Sequence, residues 1–177
     1  MEHSVIVVSS YPAKGTTHSA MTVGVASYTK QLIEGVGGVS SNIKIRVLAE
    51  VFGSEETYCE TNITVERCWK RDSLGEIFRL WFKLFRAQEK VILISYEAFM
   101  FGGLVSGTLA LVLLSTLRIF GKRMIILLHQ VPSDFAFVVG LKKYLMQAGM
   151  YVFRFLLNLY DKVVVFEAIL KERIGKN

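Results

Sequence analysis

A doubly wound α/β domain, with a mostly parallel sheet and helices on both faces, is the fold this 177-residue sequence predicts. The prediction rests on apolar runs that hardly alternate and on helical spacing in the segments between them. It also rests on the absence of any repeat, low-complexity tract or linker that would divide the chain. Continuous β-branched and aliphatic runs mark strands buried on both faces, as parallel sheets require. Alternation of strand and helix along the whole length then calls for crossover connections within one sheet. Residues 1–177 are read as one domain.

The first strand is "VIVVS", Val5–Ser9, followed by a 15-residue stretch, Ser10–Gly24, before the first helix. A connection of that length in a compact domain is more often functional than incidental. Val25, Tyr28, Leu32 and Val36 form the next helical stripe, with Gly37 and Gly38 as its expected stop. "IKIRVLA" (Ile43–Ala49) and a weaker "ITVER" (Ile63–Arg67) read as strands. Asp72-Ser73 offers an N-cap to a helix striped by Leu74, Ile77, Phe78, Trp81 and Phe85. Strands follow at "VILIS" (Val91–Ser95), "MIILL" (Met124–Leu128) and "VVVF" (Val163–Phe166), with helices expected over Leu104–Phe120 and Leu141–Leu159.

Hydrophobic residues make up 52% and the mean hydropathy is +0.41, which calls for a fully buried sheet, a membrane contact or a partner domain. Residues 1–66 carry 4 Lys/Arg against 7 Asp/Glu, a net −3, which leaves +9 for the remainder of this +6 chain. A basic half suits anionic lipid, nucleic acid or a phosphorylated ligand. No nucleic-acid reading motif accompanies it, so nucleic acid is not an expected partner. Cys59 and Cys68 stand at no zinc-like spacing and are expected to be free thiols in a reducing compartment. "MEHSVIVVSS" has no basic n-region or cleavage site, so no signal peptide is expected.

Two segments bear on membranes. Ala98 to Leu117 is a run of 20 uncharged residues, broken by Gly102, Gly103 and Gly107. A helix over Leu104–Phe120 would be about 25 Å long, short of a hydrocarbon core of roughly 30 Å. A buried or membrane-facing domain helix is therefore expected, with a small integral membrane protein as the alternative. Trp69–Lys90 interleaves Lys70, Arg71, Arg79, Lys83, Arg86 and Lys90 with Trp and Phe. That pattern fits either an interfacial helix or an ordinary surface helix with its aromatics in the core.

In an open parallel sheet, ligands bind outside the carboxyl ends of the strands. Those ends carry Ser10-Tyr11, Tyr96-Glu97, His129-Gln130 and Glu167. His129 titrates near neutrality in its ordinary state and could donate to a phosphate or a sugar hydroxyl; alternatively it is a satisfied structural histidine. Glu97 beside an apolar strand must be hydrogen-bonded, exposed or part of a site. Gly24, at a helix start, is either a phosphate contact or a turn glycine. Dinucleotide and P-loop glycine patterns are absent, as is a serine nucleophile elbow. No metal ligation is expected.

Taken in order, "VIVVSSYP", "VGVASYTKQLIEGV", "ISYEAFMFGG", "MIILLHQVPSD" and "YDKVVVFEAILKERI" resemble the N-terminal half of a family 4 glycosyltransferase with the GT-B architecture. The resemblance implies one of two Rossmann-like domains facing a cleft, this one on the acceptor side. It implies a retaining, metal-free transfer of a sugar from a nucleotide-sugar, with no further cofactor, to a lipid-linked or polysaccharide acceptor. It also implies a cytoplasmic protein, peripheral to the anionic inner face of the cell membrane. By position, Gly24 would approach the donor diphosphate and His129 would sit near the transferred sugar as the catalytic residue. Tyr11 and Glu97 would line the acceptor side. Val23 stands where the family often has the first of two glycines. The family's donor-binding C-terminal domain is not within these 177 residues, so the chain is expected to hold half an active site and to turn over little alone. A non-catalytic adaptor that pairs with a separate donor-binding subunit is the rival expectation.

Overall fold

The computed structural model describes residues 3–16, 24–39, 42–60, 62–97, 100–129, 149 and 151–165. Seven strands form one sheet: β1 (His3–Ser9), β2 (Ile43–Glu50), β3 (Glu56–Glu60), β4 (Ile63–Trp69), β5 (Val91–Tyr96), β6 (Arg123–Leu128) and β7 (Lys162–Val165). Their spatial order is β3-β4-β2-β1-β5-β6-β7. Every pairing is parallel except β3 with β4. Counting the parallel strands alone gives the doubly wound order 3-2-1-4-5-6, in which the direction of winding reverses between β1 and β5.

The helices are α1 (Gly24–Val39), α2 (Leu74–Arg86) and α3 (Leu104–Ser115), with a further helical stretch at 151–157. Two buried clusters separate the faces of the sheet. Ile6 and Val8 join Ile77, Leu84, Leu114 and Leu157 in one, beneath α2, α3 and 151–157. Val7 joins Ile33, Val47 and Val65 in the other, beneath α1. Successive residues of β1 thus face opposite cores, which is why its sequence is apolar without alternation.

Several sequence expectations are corrected. β3 was not anticipated: "ETYCE" is mostly polar because it is an edge strand, and only Tyr58 is buried. α1 runs through Gly37 and Gly38 to Val39 and does not stop at them. Its buried residues are Val25, Ala26, Thr29, Lys30 and Ile33, so of the expected stripe Val25 is buried and Val36 is exposed; Thr29 meets hydroxyls at the neighbouring strand ends. α2 buries Ile77, Leu80 and Leu84 and leaves Leu74, Phe78 and Phe85 exposed. Its expected cap holds, since Ser73 Oγ accepts from the Glu76 backbone N–H.

Over Leu104–Phe120 the α-helix ends at Ser115, and Thr116–Phe120 tightens to a 3-10 turn. Twelve α-helical residues span about 18 Å. Among the described residues no helix is long and apolar enough to cross a membrane, and the described α-helix within the uncharged run is Leu104–Ser115. Of the helix expected over Leu141–Leu159, residues 149 and 151–157 are helical, Asn158 and Leu159 lie in a turn, and the remainder lies outside the described residues.

Candidate active site at the carboxyl edge of the sheet

Three strand ends and one helix meet at the point where the winding reverses. Ser9 closes β1, Ser95 stands at the end of β5, and His129 follows β6 directly. α1 passes over them and presents Thr29. Their hydroxyls form an unbroken buried chain: Ser9 Oγ to Thr29 Oγ1 is 2.9 Å, Thr29 Oγ1 to Ser95 Oγ is 2.8 Å, and Ser95 Oγ to His129 Nε2 is 2.7 Å. Each hydroxyl can donate to one neighbour and accept from the other, so three buried polar groups are satisfied without water.

His129 is held by more than Ser95. Its backbone N–H donates to the Tyr96 carbonyl at 3.0 Å, extending the β5–β6 ladder past the strand ends. The Tyr28 ring meets it edge-on at 4.9 Å between centroids. Burial pushes the imidazole down to about 4, so it is neutral at physiological pH. This corrects the expectation of a histidine titrating near neutrality: removal from water penalises the imidazolium. What the position offers is a fixed, uncharged donor and acceptor.

Between the ordinary value of 6.5 and about 4 the unfolded chain binds a proton here that the folded chain does not. This group therefore costs the fold nothing above that window, and its contribution to stability falls as pH drops through it. Replacing His129 by Gln, which keeps an amide to meet Ser95, is expected to flatten the pH dependence of urea unfolding across that window. Identical slopes in the two proteins would contradict the burial argument.

Gly24 is the first residue of α1, one turn ahead of Tyr28 and hence about 6 Å from it along the axis. Apart from its chain neighbours and the backbone of α1 itself, no described atom lies within 4 Å of where a Cβ would stand at Gly24. Glu97 follows Tyr96, whose carbonyl holds His129, so it shares the edge. Its carboxyl is half-buried and raised above the usual range by desolvation, with the Arg71 charge opposing.

Tyr11 is placed differently. Its side chain is wholly buried in the core beneath α1 and its hydroxyl reaches Glu60 at 3.5 Å. Burial and the charges of Glu60 and Glu34 push the phenol far above its ordinary value. A ring so enclosed presents no surface to an acceptor. Gln130 and Glu167 lie outside the described residues.

Sequence reading passed over Ser9, Thr29 and Ser95. Their signal was a serine at or next to the end of two apolar strands and a threonine one residue past Tyr28. It also passed over Glu50, buried at the end of β2, where Arg71 Nε lies 2.6 Å from one carboxylate oxygen and Ser10 Oγ donates to the other at 3.3 Å. Among the described residues no three His, Cys, Asp or Glu side chains gather as a metal site.

Comparison with solved structures gives this arrangement a context. The chain superposes on a sucrose-phosphate synthase from Thermosynechococcus elongatus with a TM-score of 0.63 and 15% sequence identity. The match covers 96% of this chain and 44% of that protein. The fold is Rossmann-like, a mostly parallel α/β sheet of the kind that makes one half of the GT-B architecture. No family model matches the chain, and no curated protein matches it in sequence. The likeness to the synthase is therefore one of GT-B fold, and the chain spans less than half the length of that enzyme.

Proposed function

We propose that this chain is the acceptor-side half of a retaining, family 4-like glycosyltransferase. It serves transfer of a sugar from a nucleotide-sugar to a lipid-linked or polysaccharide acceptor at the inner face of the cell membrane. The observation that supports this reading is the hydroxyl chain ending on a neutral His129, set where the winding reverses in a GT-B-like sheet.

Transfer from a diphosphate leaving group asks the protein mainly for positioned reactants and stabilised departing charge. His129 supplies a hydrogen bond to the transferred sugar without competing for its phosphate as a cation would. The backbone N–H groups at Gly24 face the diphosphate, where the positive end of α1 favours negative charge. Glu97 takes the acceptor hydroxyl. Tyr11 contributes through its backbone, which shapes the loop after β1. A second domain or partner subunit holds the nucleotide.

The test uses membranes from cells expressing the chain, supplied with a panel of radiolabelled nucleotide-sugars. Incorporation into lipid or glycan is expected to depend on the chain and to fall tenfold or more in His129→Ala. The purified chain alone is expected to show no appreciable turnover, and robust turnover would remove the half-site part of the reading. Incorporation that needs the chain yet ignores His129→Ala would favour the adaptor. Incorporation indifferent to the chain would defeat both.

A further inference from the structure

α2 carries two apolar stripes. At about 100° per residue, Ile77, Leu80 and Leu84 share one side and are buried, while Leu74, Phe78, Phe82 and Phe85 fall within an arc of about 80° on another and are exposed. Phe78 is 52% exposed. The outer stripe continues into the 3-10 turn after α3: the Phe85 and Phe120 rings meet edge-on at 5.0 Å, and Ile119 beside Phe120 is 82% exposed. Phe82 and Phe85 lie 6.4 Å apart, so the rings form one contiguous surface and not scattered exposures.

The border of this surface is cationic. The Arg86 guanidinium lies 4.1 Å over the Phe82 ring, and Lys90 and Arg123 follow at the same end, joined by the Arg123 N–H to the Lys90 carbonyl. Arg86, Lys90 and Arg123 carry no ion pair among the described residues. The nearby carboxylates are engaged: Glu76 and Glu55 with Arg79, Glu66 with Lys83, Glu89 with Arg46, Asp161 with Arg118. A protein partner usually takes about one hydrogen bond per 100–200 Å² of interface. This surface offers apolar rings edged by cations, which fits a plane of anionic headgroups above hydrocarbon.

We propose that the outer stripe of α2, with Ile119 and Phe120, is a docking surface for an anionic lipid bilayer, with α2 lying in the interface plane. The aromatics that a sequence pattern would assign to the core are the inserted groups. The assignment deepens the lipid-acceptor reading and is separable from it, since vesicle binding involves no sugar transfer.

The experiment is co-sedimentation of the chain with phosphatidylcholine vesicles and with vesicles that also contain phosphatidylglycerol. The wild-type chain is expected to partition onto the anionic vesicles. Phe78→Ser with Phe82→Ser should lower that partition tenfold or more at an unchanged melting temperature, since both rings are exposed. Arg86→Glu with Lys90→Glu should lower it on anionic vesicles and leave the phosphatidylcholine baseline unmoved. Absence of wild-type binding to anionic vesicles, or equal binding by the serine variant, would overturn the proposal. So would a self-associated state in gel filtration that the serine variant dissolves, which would assign the surface to a second copy of the chain.

Discussion

Replacing Arg67 by methionine is expected to destabilise the fold by about 3–5 kcal/mol, the range for removing one member of a buried charged network. For a chain of this length that corresponds to roughly 6–20 °C in melting temperature. The Arg67 side chain is 1% exposed and spends its donors in four directions. Nε donates to Glu56 at 2.9 Å and Nη1 to the Glu50 carbonyl at 2.9 Å. Nη2 donates to the carbonyls of Tyr11 at 3.1 Å and Pro12 at 2.6 Å. One side chain on β4 thus ties the end of β2 to the loop that leaves β1. Methionine would fill the space and take the Arg67 donors from those three carbonyls; that of Pro12 would keep the Tyr58 hydroxyl at 3.2 Å, and each one left unsatisfied costs about 1–3 kcal/mol. Lysine would keep the charge but lacks the planar fork that reaches several acceptors at once, so Arg67→Lys should recover only part of the loss. A thermal melt of Arg67→Met within 2 °C of wild type would refute this account of the loop.

The second large effect is expected at Gly102, where alanine should cost about 2–4 kcal/mol from backbone strain and a lost cap together. Gly102 has φ +108°, a conformation that side-chain-bearing residues rarely adopt, and a Cβ there would stand 2.0 Å from Asp72 Oδ1 and 2.7 Å from the Asp72 backbone nitrogen. The obstruction cannot simply move aside. Asp72 Oδ1 accepts from the Gly103 N–H at 2.6 Å, which caps α3 in trans, and the Asp72 N–H donates to the Phe101 carbonyl at 3.1 Å. Asp72 itself has φ 53°, so both loops are already bent to make this contact. Asp72→Gly removes the carboxylate while relieving the local backbone, and is expected to cost less, about 1 kcal/mol from the cap. Urea midpoints for the two variants test the ranking; Gly102→Ala unfolding no earlier than Asp72→Gly would show that the close approach is not what matters. Because these loops follow β4 and β5, disturbing them also moves Arg71 and Glu97 at the candidate site.

Strand identity was readable from the sequence wherever both faces of the sheet are covered. Val5–Ser9, Val91–Ser95 and Met124–Leu128 each fall within an observed strand, because a residue with core on either side has no polar option. The α2 cap was readable for a local reason as well: a serine hydroxyl meets an orphan N–H three residues on. His129 and Glu97 could be placed at the carboxyl edge from where the apolar runs end, and Gly24 at the start of a helix. Tyr11 follows the same edge, yet its ring packs into the core beneath α1 and its hydroxyl reaches Glu60, a residue 49 positions away.

The sequence by itself determined the fold class, the order of its elements apart from the edge strand β3, and the edge at which polar residues leave the sheet, since these depend on local spacing and short-range hydrogen bonding. Only the tertiary structure decided which of two apolar stripes on α2 is buried, that a threonine on α1 links serines from β1 and β5 to His129, and that this histidine is neutral. Those outcomes depend on which distant segments arrive beside a given side chain and how much water they leave there. Periodicity shows that a helix has an apolar side. It carries no record of a second such side left facing solvent, or of a charge removed by burial.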